Sequence, residues 1–261
     1  MLDVYHAEPG ANTLKVLLAL KEKGVDFNSH YVALNKFEQH EEWFKKINPN
    51  GQVPVIVHDG KVINESTVIN EYVDAVFEGP ALRPADEYGK AMMRIWTKWV
   101  DEYFCPALSY LAWNWMIKSL VKDLTPEEFE AKLQKIPLKE QQDKWRITAT
   151  EGYPEERLKE WRRQVETSVT KIDSALREHG KDWILGDQFT LADISVFAMA
   201  HPMPMGYQDI MNEEDTPHLM AWYNRMMERD GTNAALTMPN KMREEVKLDD
   251  RVDVLSKQGK E

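Results

Sequence analysis

The apolar positions change period along the chain. Near the N-terminus they come in short runs: Leu2, Val4 and Tyr5; then Phe27, His30, Tyr31 and Val32; then Val53, Val55, Ile56 and Val57; then Val62 and Ile63. Short runs rich in β-branched and aromatic residues predict strands. Between the first two, Leu14, Val16, Leu17, Leu18 and Leu20 give a broad apolar face that predicts a helix over Thr13–Lys23, with Gly24 just past its end. The segment from Leu34 to Asn48 is polar, anchored by Phe37, Trp43, Phe44 and Ile47, and predicts a loop with a short helix. Asp59-Gly60 is a favoured two-residue hairpin turn. A helical pattern through Val68, Ile69, Tyr72 and Val73 closes the region. The predicted order over residues 1–78 is β-α-β-α-β-β-α, with the first two strands parallel because a helix joins them.

Turn residues crowd the stretch from Glu78-Gly79-Pro80 to Arg83-Pro84-Ala85-Asp86 and mark a domain boundary. Everything after it has a helical period. One long pattern runs from Glu87 to Leu120, bent at Pro106. Thr125-Pro126-Glu127-Glu128 is a capping box with proline at the first helical position, opening a helix to Gln134. Ile136 to Gly152 reads as an irregular connection. A long helix follows from Pro154 to His179, then an apolar turn at 183–187. Thr190 and Asp193 cap a buried helix over Ile194–Ala200. Thr216-Pro217-His218 starts the last strong helix, through Met227. The fold class is therefore an α/β domain, residues 1–80, followed by an all-helical domain, residues 87–240. The mostly charged tail, residues 241–261, is expected to be loosely held.

Composition narrows the function. The formal net charge of −11 argues against a generic nucleic-acid binder, which needs a basic face. The single cysteine, Cys105, excludes a disulfide framework and a cysteine-based zinc site, and fits a reducing compartment. No metal is expected. No stretch approaches the roughly 18 consecutive apolar residues of a membrane span. The first residues lack the charged-then-apolar pattern of a signal peptide, so the expected location is cytoplasmic.

Two features carry chemistry. Pro54 falls within a predicted strand, where proline removes a ladder hydrogen bond. A cis Val53-Pro54 bond explains it and turns the Val53 N–H and C=O outward, free to pair with an extended peptide. Ser66 falls where helix N–H groups are unpaired, and such a terminus binds carboxylates. A peptide-reading edge beside an anion site suits a small acidic peptide.

These residues, Gly51-Gln52-Val53-Pro54 followed by Glu65-Ser66, resemble the glutathione transferase superfamily, as does Gly186-Asp187 with Thr190-Leu191-Ala192-Asp193-Ile194. The resemblance implies a thioredoxin-like first domain and glutathione as co-substrate. It places the cysteinyl backbone on Val53, before Pro54, and the γ-glutamyl end on Glu65 and Ser66. It brings Gln39 and His40 to the glycyl carboxylate and Gln52 to the same ligand. It takes Asp101 to the partner subunit's glutathione in a dimer. The catalytic task falls to Asn12 and Thr13, which stand where the helix start can favour a thiolate. By residue type alone they read equally as an N-cap and a first-turn residue. The chain departs from the family pattern in having Thr13 where serine is commoner and no tyrosine or cysteine in that loop. Tyr5 comes too early. Cys105 belongs to the helical domain, so cysteine-type deglutathionylation is not expected.

The second substrate is expected between the domains, against Tyr110, Trp113, Asn114, Trp115, Gln142 and Trp145. Tryptophans at helical spacing serve equally as core. A closer resemblance rests on Lys36-Phe37-Glu38-Gln39-His40, on Trp43-Phe44-Lys45-Lys46-Ile47-Asn48-Pro49 and on the run from Trp96 to Cys105. Pro9-Gly10-Ala11-Asn12 and Leu82-Arg83-Pro84-Ala85-Asp86 agree with it. It is to the bacterial glutathione-dependent β-etherases of lignin breakdown. It implies thiolate attack on the β-carbon of an aromatic β-aryl ether ketone, with release of a phenol. The partners it implies are glutathione, that small aromatic ether and a second subunit, either identical or a related chain, with neither nucleic acid nor membrane. The alternatives are a general transferase or peroxidase for other electrophiles, and a non-catalytic binding module of the same shape.

Overall fold

The computed structural model describes residues 1–239, so the charged tail from Lys241 lies outside the described residues. Strands β1 (Leu2–His6), β2 (Asn28–Tyr31), β3 (Val55–His58) and β4 (Lys61–Asn64) form one four-stranded sheet in the order β2-β1-β3-β4. β1 pairs parallel with β2 and antiparallel with β3, and β3 pairs antiparallel with β4 through the Asp59-Gly60 turn. Helix α1 (Ala11–Lys23) makes the β1–β2 crossover, α2 (Glu42–Lys45) follows two 3₁₀ turns, and α3 (Ser66–Val76) follows β4. This is the thioredoxin-like order read from the sequence.

The chain then becomes helical throughout: α4 (Glu87–Trp99), α5 (Cys105–Val121), α6 (Pro126–Leu133), α7 (Lys139–Ala149), α8 (Glu155–His179), α9 (Leu191–Ala200), α10 (Met203–Gly206), α11 (Pro217–Met227) and α12 (Asp230–Leu236). Val16, Leu17, Leu18, Ala19 and Leu20 of α1 are fully buried, and α1 packs on α3, α9 and α12. Every residue of α9 is buried. α1 therefore belongs to the cores of both halves, and its N-terminus is fixed from both sides. No helix among the described residues is long and apolar enough to cross a membrane.

Three expectations change. Ile136–Gly152 is not irregular: it contains α7. Its outward face is a ladder of ion pairs, Lys139 to Asp143, Asp143 to Arg146 and Arg146 to Glu130 of α6. Its inward face is carried by Lys144, Trp145 and Thr148. With so few apolar residues, no helical period was visible. The long α4–α5 pattern is interrupted by a π turn, Val100–Phe104, just before Pro106. Proline donates no N–H and its ring crowds the carbonyl four residues back, so the turn ahead of it widens. Finally, α1 begins at Ala11, with Gly10 as N-cap, so Asn12 and Thr13 are first-turn residues and neither is a cap.

Candidate active site

Two helix starts meet across one cleft. The N-cap of α1 is Gly10 and that of α3 is Glu65, and neither supplies a side-chain cap. Their free N–H groups and positive dipole ends remain available. Ser66 Oγ donates to Asn12 Oδ1 at 3.4 Å, joining the two starts. Glu65 holds φ 67°, a left-handed conformation disfavoured for a residue with a β-carbon. Such strain survives where the surroundings impose it, commonly at binding sites.

The wall opposite is built by the turn before β3. Asn48 Nδ2 donates to the Gln52 carbonyl at 2.8 Å, and Asn48 Oδ1 accepts from Asn50 N–H at 3.1 Å. Gly51 has φ 63°, and a β-carbon there would lie 2.6 Å from His40 Nδ1 and 2.9 Å from the Gln39 carbonyl. Only glycine fits that approach. The Val53-Pro54 bond is cis, and β3 begins after it at Val55, so Pro54 precedes the strand.

Gln39 and His40 are both buried, each 5% exposed. Gln39 Nε2 meets His40 Nε2 at 3.2 Å. With Nε2 accepting from that amide, the neutral ring carries its proton on Nδ1. His40 Nδ1 and Gln39 Oε1 are buried without a protein partner. Burial is the main cause holding the His40 pKa down at about 4, with the Lys45 charge adding to it. Buried polar atoms without partners are uncommon, and of those among the described residues these two belong to residues that line the cleft.

These groups line a cleft of about 290 Å³ that takes in Asn12, Gln39, His40, Gln52, Val53, Pro54, Glu65 and Ser66. Trp113 and Trp145 close it from the helical domain. A second cleft shares Asn12, Glu65 and Ser66 and opens toward Asp101 and Cys105. Asp101 is held within its own chain, paired with the fully buried Lys15 and accepting from Thr67 Oγ1 at 2.6 Å.

Other predicted residues lie elsewhere. Thr13 is buried and lines neither cleft. Gln142 turns away, donating to the Ile136 carbonyl at 2.8 Å, and Gln141, on the same face of α7 as Trp145, lines the cleft instead. Asn114 accepts from Tyr153 N–H at 2.7 Å, Tyr110 stacks on Trp161, and Trp115 packs on the main core. Two contributors were missed. Asn48, read only as a turn signal, ties the turn together. Cys105, set aside with the helical domain, brings Sγ within 4.0 Å of Asn12 Oδ1. Burial pushes its thiol pKa up, so it is protonated at neutral pH. Its signal was the spacing Cys105, Ser109, Trp113, which puts all three on one stripe of a helix.

The model of the glutathione S-transferase N-terminal domain matches residues 10–76, and that of the C-terminal domain matches residues 127–230. Protein LigF of Sphingobium sp. (strain NBRC 103272 / SYK-6) is 47% identical over 234 residues, covering 87% of this chain and 90% of that protein. The chain belongs to the glutathione transferase family. The crystal structure of the β-etherase LigF from Sphingobium sp. strain SYK-6 superposes with a TM-score of 0.87 at 45% identity, covering 91% of this chain and 99% of that one. A glutathione transferase from Burkholderia graminis, with two glutathione molecules bound per subunit, matches at a TM-score of 0.66 and 20% identity over 91% of this chain and 88% of that one. That match speaks to the fold alone. The Asn12–Ser66 junction of the cleft falls within the residues that the N-terminal domain model matches.

Proposed function

We propose that this glutathione transferase is a β-etherase, cleaving aromatic β-aryl ether ketones with glutathione. The supporting observation is the cleft itself: two uncapped helix starts, buried unpartnered Gln39 Oε1 and His40 Nδ1, and an aromatic wall from the other domain. The first three suit an anionic peptide and the last an aromatic second substrate. Similarity to LigF over most of both chains supports the finer choice of substrate.

In this reading, Ser66 Oγ and the first N–H groups of α3 receive the γ-glutamyl carboxylate, with Glu65 beside the α-amino group. His40 Nδ1–H and Gln39 serve the glycyl end. The Val53 backbone and Gln52 hold the middle of the peptide. The start of α1, with the Asn12 side chain, favours the thiolate; Thr13 supports that start from beneath. The thiolate sulfur attacks the β-carbon, the ether C–O bond breaks, and the electron pair leaves on the aryl oxygen. The adjacent ketone activates the carbon, so the protein mainly supplies a thiolate, alignment and a dry pocket. Trp113 and Trp145 contribute that pocket.

The proposal includes a reducing, cytoplasmic setting, supported by the single cysteine, and a dimer of identical or related subunits. Val68 and Ile95, exposed on α3 and α4, support an apolar contact there. Incubation with glutathione and both enantiomers of a model β-aryl ether ketone tests the reaction. Equimolar phenol and glutathione thioether is the result expected. Retention on glutathione without ether cleavage would leave only a general transferase or a binding module.

A further inference from the structure

Lys144 is a buried cation without a buried anion. Two other buried lysines have carboxylates: Lys15 pairs with Asp101, and Lys23 with Asp74 at 2.8 Å. Lys144, only 9% exposed, meets no carboxylate among the described residues. Its Nζ donates to Ser109 Oγ at 2.9 Å and lies 4.1 Å from the Trp113 ring centroid and 4.6 Å from that of Tyr110. The acids of the neighbouring turns are engaged otherwise: Asp143 with Lys139 and Arg146, and Glu130 with Arg146. Aromatic faces and one hydroxyl offset part of the loss of water around an ammonium, and a carboxylate would offset more.

Its position explains why it is tolerated. Cys105, Ser109 and Trp113 stand at i, i+4 and i+8 on α5, one stripe along the helix. At one end Cys105 touches Asn12, where the thiolate is favoured. At the other end Trp113 lines the cleft. The Lys144 ammonium sits on the middle of this stripe, one helical turn from the Asn12 end. It lines neither cleft itself and lies directly behind the Trp113 ring, 4.1 Å from its centroid, so a departing oxygen meets it at the edge of that ring.

We propose that the Lys144 ammonium is the acid and counter-charge for the aryloxide that departs in the reaction proposed above, an inference that rests on that reading. As the sulfur–carbon bond forms and the carbon–oxygen bond breaks, the electron pair stays on the aryl oxygen. A proton moves from Lys144 Nζ to that oxygen, leaving a neutral amine, a phenol and the thioether; water returns the proton to the amine. The free energies fit. Burial lowers the Lys144 pKa to about 8, whereas a phenol ionises near about 10. The proton therefore passes downhill. The titratable groups facing Lys144 from α5 are the Tyr110 hydroxyl and the Cys105 thiol, and burial pushes the thiol pKa up, so it brings no charge at neutral pH.

The test compares ethers that differ only in the departing phenol. With a methoxyphenyl ether, Lys144→Met should lower kcat by roughly a hundredfold, the range of a general acid. With a nitrophenyl ether, whose anion leaves unaided, the loss should be no more than about threefold. KM for glutathione should not change. Tm should rise by roughly 3 °C or more, because an unpaired buried charge has been removed. Lys144→Gln, which keeps a donor for Ser109, gives the same selective loss if the methionine variant misfolds. Equal losses on both ethers, or no loss on either, would overturn this step while leaving the etherase reading intact. A wild-type enzyme that cleaves neither ether would overturn both.

Discussion

The starts of α9 and of α1 with α3 lie in one molecule and obey opposite rules. At α9 every polar group is answered. Asp193, wholly buried, accepts from Ile184 N–H at 2.9 Å, Thr190 N–H at 2.9 Å and Trp222 Nε1–H at 3.0 Å, and Thr190 Oγ1 receives Ala192 N–H at 3.2 Å. At the cleft neither helix start is capped by a side chain, Glu65 is strained, and Gln39 and His40 keep buried atoms without partners. The first arrangement closes on itself and stabilises the fold. The second is incomplete by the same physical criteria, and a peptide with carboxylates at both ends and amide N–H groups between them would complete it. Helix caps mark a folding site when satisfied and a binding site when left open beside other unpaired groups.

The largest effect expected lies on the closed side. Asp193→Ala leaves four donors unanswered, the Ile184, Thr190 and Trp222 N–H groups and the Thr190 hydroxyl, and should destabilise the protein by about 3–5 kcal/mol in denaturant unfolding. The fraction that folds should still bind glutathione normally. Weakened binding in that fraction would show that the two regions are not independent. Next comes the open side. Ser66→Ala should weaken glutathione binding by roughly 1.5–3 kcal/mol, seen in Kd and KM with kcat little changed, because a carboxylate contact acts alike in ground and transition states. The matched change on the closed side, Thr190→Ala, should lower stability by about 1 kcal/mol and leave binding alone. If the two substitutions gave the same pattern, the distinction between open and closed starts would fail.

Asn12→Ala sharpens the comparison within the cleft. The dipole and N–H groups of α1 survive it, so the barrier should rise by only about 1–2 kcal/mol. The pKa of bound glutathione, read from thiolate absorbance against pH, should rise with it. Thr13→Ala separates a contact from a support. Thr13 lines neither cleft, so its removal should lower stability more than it shifts that pKa.

Sequence reasoning reached the fold wherever local chemistry and period agreed. The leucines of α1, the Asp59-Gly60 hairpin and the Thr190–Asp193 box each carry their own signal within a few residues. It also reached the half of the cleft that comes from one contiguous stretch, Gly51 to Ser66. It fell short where structure depends on distant partners. α7 has an outward face of ion pairs and one large buried aromatic, Trp145, so its helix was invisible and Gln142 was chosen where Gln141 faces the cleft. Cys105 and Asn12 touch across 93 positions of sequence, a proximity no window reveals. Nothing local marks Lys144 as buried, because burial of a charge is set by neighbours, here Ser109, Tyr110 and Trp113 of another helix.

The last effect concerns His40 and vanishes at neutral pH: below it, the open side should leave a mark on stability as well as on binding. Burial lowers its pKa to about 4 in the folded chain, against an ordinary 6.5. Between those values the unfolded chain binds the proton and the folded one does not, so stability rises with pH across the window. The contribution is complete above pH 6.5 and is lost as pH falls toward 4. His40→Gln removes the titration, so its Tm should fall less than that of the wild type over this range, by roughly 5 °C or more. Saturating glutathione should shrink the difference if a carboxylate reaches Nδ1, because a protonated ring beside an anion is no longer penalised. A Tm difference that saturating glutathione leaves unchanged would place His40 among the closed groups of the fold and remove it from the cleft.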